Sequence, residues 1–111
     1  MRGTAAFGAL ARPRDHGGTR RSSGPLSVAH VPPASSAVPT PPAVAFAIGR
    51  KVGGAVVRNR LRRRLRAELG LLAGAGSLRP GSYLVGLRPE AAALDGTELR
   101  SHLRRALGMP A

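Results

Sequence analysis

Residues 44–72 read VAFAIGRKVGGAVVRNRLRRRLRAELGLL. The stretch begins with an apolar run of strand length, 44–48, in which the larger Val44, Phe46 and Ile48 alternate with Ala45 and Ala47. That alternation predicts a strand with one full and one sparse face. Gly53 and Gly54 then break the chain. Beyond them Val57, Leu61, Leu65, Leu69 and Leu72 recur at helical spacing and draw one apolar stripe. The prediction is a strand, a glycine-rich turn and a helix running to about Leu72.

Working outward, residues 32–43 (PPASSAVPTPPA) hold five prolines, which remove ladder donors and predict a linker or long hairpin loop. Before it, Leu26 to Val31 (LSVAHV) reads as a short strand. Residues 12–25 are rich in Arg, Gly and Ser and read as loop. A short helix is expected around Phe7 and Leu10. On the other side, Gly74, Gly76, Pro80 and Gly81 end the long helix and make a turn. Ser82 to Arg88 (SYLVGLR) is a further strand. Asp95 with Glu98 three residues on has the pattern of a capping box. It opens a last helix whose apolar face is Leu99, Leu103 and Leu107, stopped by Gly108 and Pro110. Two strands flanking a helix suggest a βαβ crossover. The expected class is α+β, a small mixed β-sheet with packed helices. One domain is expected over 1–111, with flexible segments near 12–25 and 32–43.

Charge narrows the function. Of 111 residues, 18 are Lys or Arg and 5 are Asp or Glu, for a formal charge of +13, the balance of a polyanion binder. Lys51 is the only lysine; arginine grips phosphate with a planar fork of donors. From Arg50 to Arg66 there are eight positive charges and no negative one. Arg58, Arg62 and Arg66 are four apart and share a helix face, and Asn59, Arg60 and Arg63 are expected to continue that surface away from the leucines. Solvated faces normally mix signs, and this one does not. The absence of cysteine excludes disulfides and thiolate metal sites. His16, His30 and His102 have no ligand spacing. Asp15, Glu68, Glu90, Asp95 and Glu98 are dispersed, with no carboxylate cluster suited to Mg²⁺. Neither a catalytic residue nor a metal site is therefore expected in this chain.

Arg50-Lys51-Val52-Gly53, Ala55-Val56, Arg58-Asn59-Arg60, Arg62-Arg63 and Arg66 together resemble the signature of the bacterial ribonuclease P protein component. The likeness extends to Phe7 with Leu10, to Gly24-Pro25-Leu26-Ser27-Val28, to Tyr83-Leu84-Val85 with Arg88, and to the segment from Glu98 to Leu107. The sequence departs from that pattern in its short lead-in before Phe7, in Ala11, in Pro13 and in the proline-rich 32–43 loop. The resemblance implies an α/β sandwich of the ribonuclease P protein type. It implies an RNA subunit that cleaves with Mg²⁺, while the protein binds RNA through Arg50, Lys51, Arg58, Asn59, Arg60, Arg62, Arg63 and Arg66. It also implies a cleft between the first helix and the sheet for the 5′ leader of precursor tRNA. Phe7 is the candidate leader contact, where stacking on a base is worth about 1–3 kcal/mol; a plain core role for Phe7 is the other reading.

The implied partners are the ribonuclease P RNA subunit and precursor tRNA, with no membrane, no obligate protein partner and no cofactor bound by the protein itself. No apolar run reaches the roughly 18 residues of a membrane span. The Ala5–Ala11 stretch imitates a signal peptide and the Arg- and Ser-rich start an organellar transit peptide. The later segments favour a bacterial, cytoplasmic protein. The alternatives are a ribosomal or general nucleic-acid-binding protein using the same helix, which would not need the Gly-Ala-Val lead-in, and a self-sufficient nuclease, which would need an acidic cluster.

Overall fold

The computed structural model describes residues 18–33 and 42–109. Strands β1 (Thr19–Ser23), β2 (Leu26–Val31), β3 (Ala43–Ile48) and β4 (Ser82–Leu87) form one sheet in the order β1-β2-β4-β3. β1 with β2 and β2 with β4 are antiparallel, while β3 runs parallel to β4. Parallel neighbours need a long connection. Here it is helix α1 (Ala55–Gly74), so the βαβ unit expected from residues 44–88 is present. Helix α2 (Gly96–Ala106) follows β4 after a 3₁₀ turn over Pro89–Ala93. The α+β class with a small mixed sheet is thus observed.

One expectation needs correction. Residues 12–25 were expected to be flexible loop, but Thr19–Ser23 is a strand. Its sequence, TRRSS, has no apolar alternation because it is an exposed edge strand. It is held by pairing with β2, from Thr19↔His30 to Ser23↔Leu26. Residues 12–17 and most of the 32–43 segment lie outside the described residues, as does the short helix expected near Phe7.

The sheet has a full face and a sparse face, as the 44–48 alternation predicted. On the full face Leu26, Val28, Ile48, Tyr83 and Val85 pack against Leu61, Leu65 and Leu69 of α1 and Leu99, Leu103 and Ala106 of α2. The register lines up Val44↔Tyr83, Phe46↔Val85 and Ile48↔Leu87 across the parallel pair. The sparse face carries Ala43, Ala45 and Ala47 on β3, Ser82, Leu84 and Gly86 on β4, and Ser27, Ala29 and Val31 on β2. Leu107, expected on the buried face of α2, is half-buried, and Ala106 takes the buried place. The helix ends there in a Schellman turn. The Met109 N–H donates to the Arg104 carbonyl at 2.8 Å and the Gly108 N–H to that of Arg105 at 2.9 Å, with Gly108 at φ +83°.

The Asp95–Glu98 capping box forms as expected: the Glu98 N–H donates to Asp95 Oδ1 at 2.8 Å and the Asp95 N–H to Glu98 Oε1 at 3.0 Å. Glu68, buried on α1, accepts from Arg104 of α2 at 2.7 and 3.0 Å and ties the two helices together. Among the described residues no helix is long and apolar enough to cross a membrane.

The β1–β2 turn shows how tightly the edge is docked. Gly24 has φ +56°, in the left-handed region, and the His102 ring of α2 lies over it. His102 Nδ1 is also 2.9 Å from the Ser23 hydroxyl. A Cβ on Gly24 would sit 2.6 Å from the imidazole. Gly24→Ala therefore combines a left-handed alanine, about 1–2 kcal/mol, with a clash. Denaturant unfolding is expected to show a loss of about 2 kcal/mol or more; an unchanged midpoint would mean that the hairpin is not docked on α2.

Candidate nucleic-acid interface

The basic stretch is built in two steps. A 3₁₀ turn, Arg50–Val52, follows β3, with Val52 buried and Arg50 and Lys51 exposed. The buried Val52 anchors the turn so that its two basic neighbours face outward. Gly53 and Gly54 then lead into α1, whose N-cap, Gly54, contributes no side-chain hydrogen bond. No acidic residue occupies the first turn. The helix start is thus electropositive through its free N–H groups as well as its side chains.

Along α1 each residue advances about 100°. Leu61, Leu65, Leu69 and Leu72 are buried, as predicted, and Val57 is half-buried. Arg58, Arg62 and Arg66 share one flank, also as predicted. That flank faces β3, since the Arg66 guanidinium lies 5.5 Å from the centre of the Phe46 ring. Asn59 and Arg63 point outward and are exposed. Arg60 departs from the expectation. Two residues of rotation, about 200°, carry it to the opposite flank from Arg58. There it is followed by Arg64, which lines a groove of about 280 Å³ between α1 and α2 with Leu71 and Arg100. The basic surface therefore wraps the outer half of the helix instead of forming a single stripe. Arg64 was not singled out from the sequence, although the unbroken basic run contains it.

Electrostatics of this surface are one-sided. Among the described residues, Arg58, Arg60, Arg63 and Arg64 have no ion pair. Arg62 donates to Asn59 Oδ1 at 2.8 Å, so Asn59 orients its neighbour one turn on. Arg58 and Arg60 are half-buried, and the Nε of each is buried without an acceptor. A buried donor without a partner costs on the order of 1–3 kcal/mol. Three of the four acidic side chains among the described residues are committed elsewhere: Glu68 to Arg104, Asp95 and Glu98 to the capping box. Phe7, the candidate leader contact, lies outside the described residues.

Comparison with known proteins agrees with this geometry. The family model described as Ribonuclease P matches residues 14–110. The ribonuclease P protein component of Thermobifida fusca (strain YX) is 39% identical over 108 residues, covering 96% of this chain and 72% of the relative. That of Acidothermus cellulolyticus is 40% identical over 91 residues, 80% of this chain and 72% of the relative. The fold is similar to the RNase P protein of Staphylococcus aureus, with a TM-score of 0.77 at 16% identity, covering 97% of this chain and 91% of that one. It is also similar to the RNase P protein of Thermotoga maritima solved with 1-(4-fluorophenyl)-2-thiourea, with a TM-score of 0.75 at 20% identity, covering 96% and 95%.

Screening is expected to stabilise the free chain. Like charges four residues apart cost a few tenths of a kcal/mol per pair. Raising salt from 0.01 to 0.15 M shortens the Debye length from about 30 to about 8 Å. Relief of roughly 1 kcal/mol raises Tm by about 4–8 °C in a domain of this size. Thermal melts followed by circular dichroism check this; a Tm that falls with salt would show that attractive pairs dominate.

Proposed function

Because this chain belongs to the ribonuclease P family, as a protein subunit that associates with ribonuclease P RNA in an endoribonuclease holoenzyme, we propose that α1 is its grip on RNA and that catalysis rests with the RNA. The observation that carries this reading is the wrapped arginine surface of α1, whose one acidic residue, Glu68, is buried and paired with Arg104, leaving Arg58, Arg60, Arg63 and Arg64 without an ion pair among the described residues. Phosphates laid against the helix would remove the mutual repulsion of the arginines and release counterions. Arg50 and Lys51 extend the grip to the turn before the helix, and Arg58, Asn59, Arg60, Arg62, Arg63 and Arg66 form its body. Asn59 acts chiefly by holding Arg62 in place.

The substrate in this reading is precursor tRNA, whose 5′ leader is removed. The sparse sheet face suits the leader. Ala43, Ala45 and Ala47 of β3, with Ser27 and Gly86, leave a shallow floor for an extended single strand, beside the buried cluster of Ala29, Val31 and Leu84. Phe7 is the residue proposed to stack on a leader base. Mg²⁺ would supply the cleavage chemistry when bound by the RNA-containing holoenzyme. This chain's own residues bind, orient and neutralise charge. Supporting that division, Glu68, Asp95 and Glu98 are all engaged in holding the fold together. A cytoplasmic setting, a single domain and no obligate protein partner complete the reading.

Rigorously RNA-free protein is expected to leave precursor tRNA intact at any Mg²⁺ concentration. With the RNA subunit, the protein should accelerate cleavage most at low Mg²⁺, where its positive charge substitutes for screening cations. A precursor with a very short leader should gain less from the protein. Cleavage assays with protein alone, RNA alone and both, across a Mg²⁺ series, decide this. Cleavage by protein alone would overturn the assignment of catalysis to RNA, and equal stimulation of long and short leaders would remove the leader contact.

A further inference from the structure

We propose a second phosphate-binding site, formed by Arg21 and Arg79 at the corner of the sheet diagonally opposite the α1 grip. The proposal rests on the RNA-binding reading above and adds a contact that the basic helix does not account for.

The site lies where edge strand β1 meets the C-terminal end of α2. Arg21 of β1 and Arg79, on the turn before β4, line one small pocket together with Thr19, His30, Tyr83 and Leu107. Its volume is about 10 Å³, room for about one oxygen atom. Both arginines are exposed, and neither has a carboxylate partner among the described residues. Thr19 lines the same pocket and carries a hydroxyl, a neutral donor. The pocket therefore brings two arginines, Arg79 beside the Tyr83 hydroxyl, and a threonine around a space the size of one oxygen atom, residue types suited to recognising phosphate.

The walls are held rigidly. His30 is buried, stacks on Tyr83 with ring centroids 4.5 Å apart, and donates from Nε2 to the Pro80 carbonyl at 2.9 Å. A carbonyl only accepts, so Nε2 carries the proton. The Tyr83 hydroxyl donates to the Arg79 carbonyl at 2.7 Å. These two bonds clamp the backbone at residues 79 and 80 and fix the root of the Arg79 side chain. Burial raises the Tyr83 hydroxyl above the ordinary tyrosine value, with the nearby Arg79 charge opposing, so the phenol stays a neutral donor at physiological pH.

A plainer role for Arg21 is to cap α2, whose C-terminal end it approaches: a Cβ on Gly108 would lie 3.5 Å from the Arg21 guanidinium carbon. The Schellman turn already satisfies the Arg104 and Arg105 carbonyls through backbone donors, and no hydrogen bond from Arg21 is made there. Capping also leaves unexplained why Arg79, from a different element, faces the same pocket.

Position gives the site its use. β1 and β3 are the two edges of the sheet. α1 is entered from the end of β3, where Ile48 pairs with Leu87, whereas the pocket lies at the Tyr83 end of β4 beside β1. The separation is about 13 Å along β4 alone, four residues of strand rise, with the width of the sheet added. Two anchors at opposite corners fix the orientation of the protein on an RNA surface; one helix would leave it free to pivot. The phosphate belongs either to the RNA subunit or to precursor tRNA.

The test compares the full chain with the Arg21→Gln/Arg79→Gln variant in salt titrations, one with ribonuclease P RNA and one with precursor tRNA bound to the assembled holoenzyme. Arg100→Gln, on the groove between the helices, is the control for loss of charge alone. The double variant should bind about tenfold more weakly at 0.15 M salt in one arm, with the log–log salt slope reduced by about one to two. The arm affected identifies the source of the phosphate. An Arg21→Lys/Arg79→Lys variant should recover most of the slope, and thermal melts should match the wild type, which separates lost binding from lost folding. Affinity and slope equal to those of Arg100→Gln in both arms would overturn this site while leaving the helix grip intact. Failure of the unaltered chain to bind ribonuclease P RNA would instead sink the RNA-binding reading and this site with it.

Discussion

Burial of the four α1 leucines, with Leu61, Leu65 and Leu69 in the core on the full face of the sheet and Leu72 near the C-terminal end of the helix, sets the orientation of everything else in this molecule. α1 carries six arginines and one acidic residue. On its own it would be a poor helix, since each like-charge pair costs a few tenths of a kcal/mol and no side chain caps its start. Burying one leucine is worth roughly 1.5–3 kcal/mol, so four of them outweigh the repulsion several times over. Once the leucines are fixed, helical geometry places the arginines on the flanks and outer side of α1, with Arg63, Arg64 and Arg66 exposed and Arg58, Arg60 and Arg62 half-buried. Glu68 completes the arrangement, because its ion pair with Arg104 removes the one negative charge of the helix from the exposed surface.

The same logic explains what was legible in the sequence. The leucine stripe, the capping box at Asp95 and Glu98, and the alternation of large and small residues at 44–48 are local patterns with one physical solution each, and all three appear as expected. Thr19–Ser23 was not legible. An exposed edge strand has no buried face to imprint a period of two, and its structure comes from β2, a partner supplied by tertiary pairing. Ala106 is buried and Leu107, the C-cap residue, packs half-buried against the same core, so the apolar face extends through the last turn of the helix.

At the candidate site, the identity of the basic residues was readable but their arrangement was only partly so. Arg58, Arg62 and Arg66 fall together, as four-residue spacing dictates. Arg60 lies across the helix, so the Arg58-Asn59-Arg60 motif straddles α1 and presents donors to both flanks. The clamp on the Arg79 turn was invisible to local reading, because His30 and Pro80 are fifty residues apart and meet only when β2 and β4 pair. The proposed phosphate contacts thus have a local part, written along one helix, and a non-local part, assembled by the sheet.

The central claim is that α1 lies against ribonuclease P RNA. The chain has no cysteine, so a single one can be introduced as an attachment point. Gly70 is suited to this: it is exposed on the outward side of α1, and a Cβ there meets nothing within 4 Å. An iron chelate attached to Gly70→Cys and triggered to release hydroxyl radicals in the assembled complex should cut the RNA subunit at a few clustered positions. Those cuts should vanish at a salt concentration that dissociates the complex. A cutting pattern identical to that of free chelate, in a complex shown to be intact, would contradict the account.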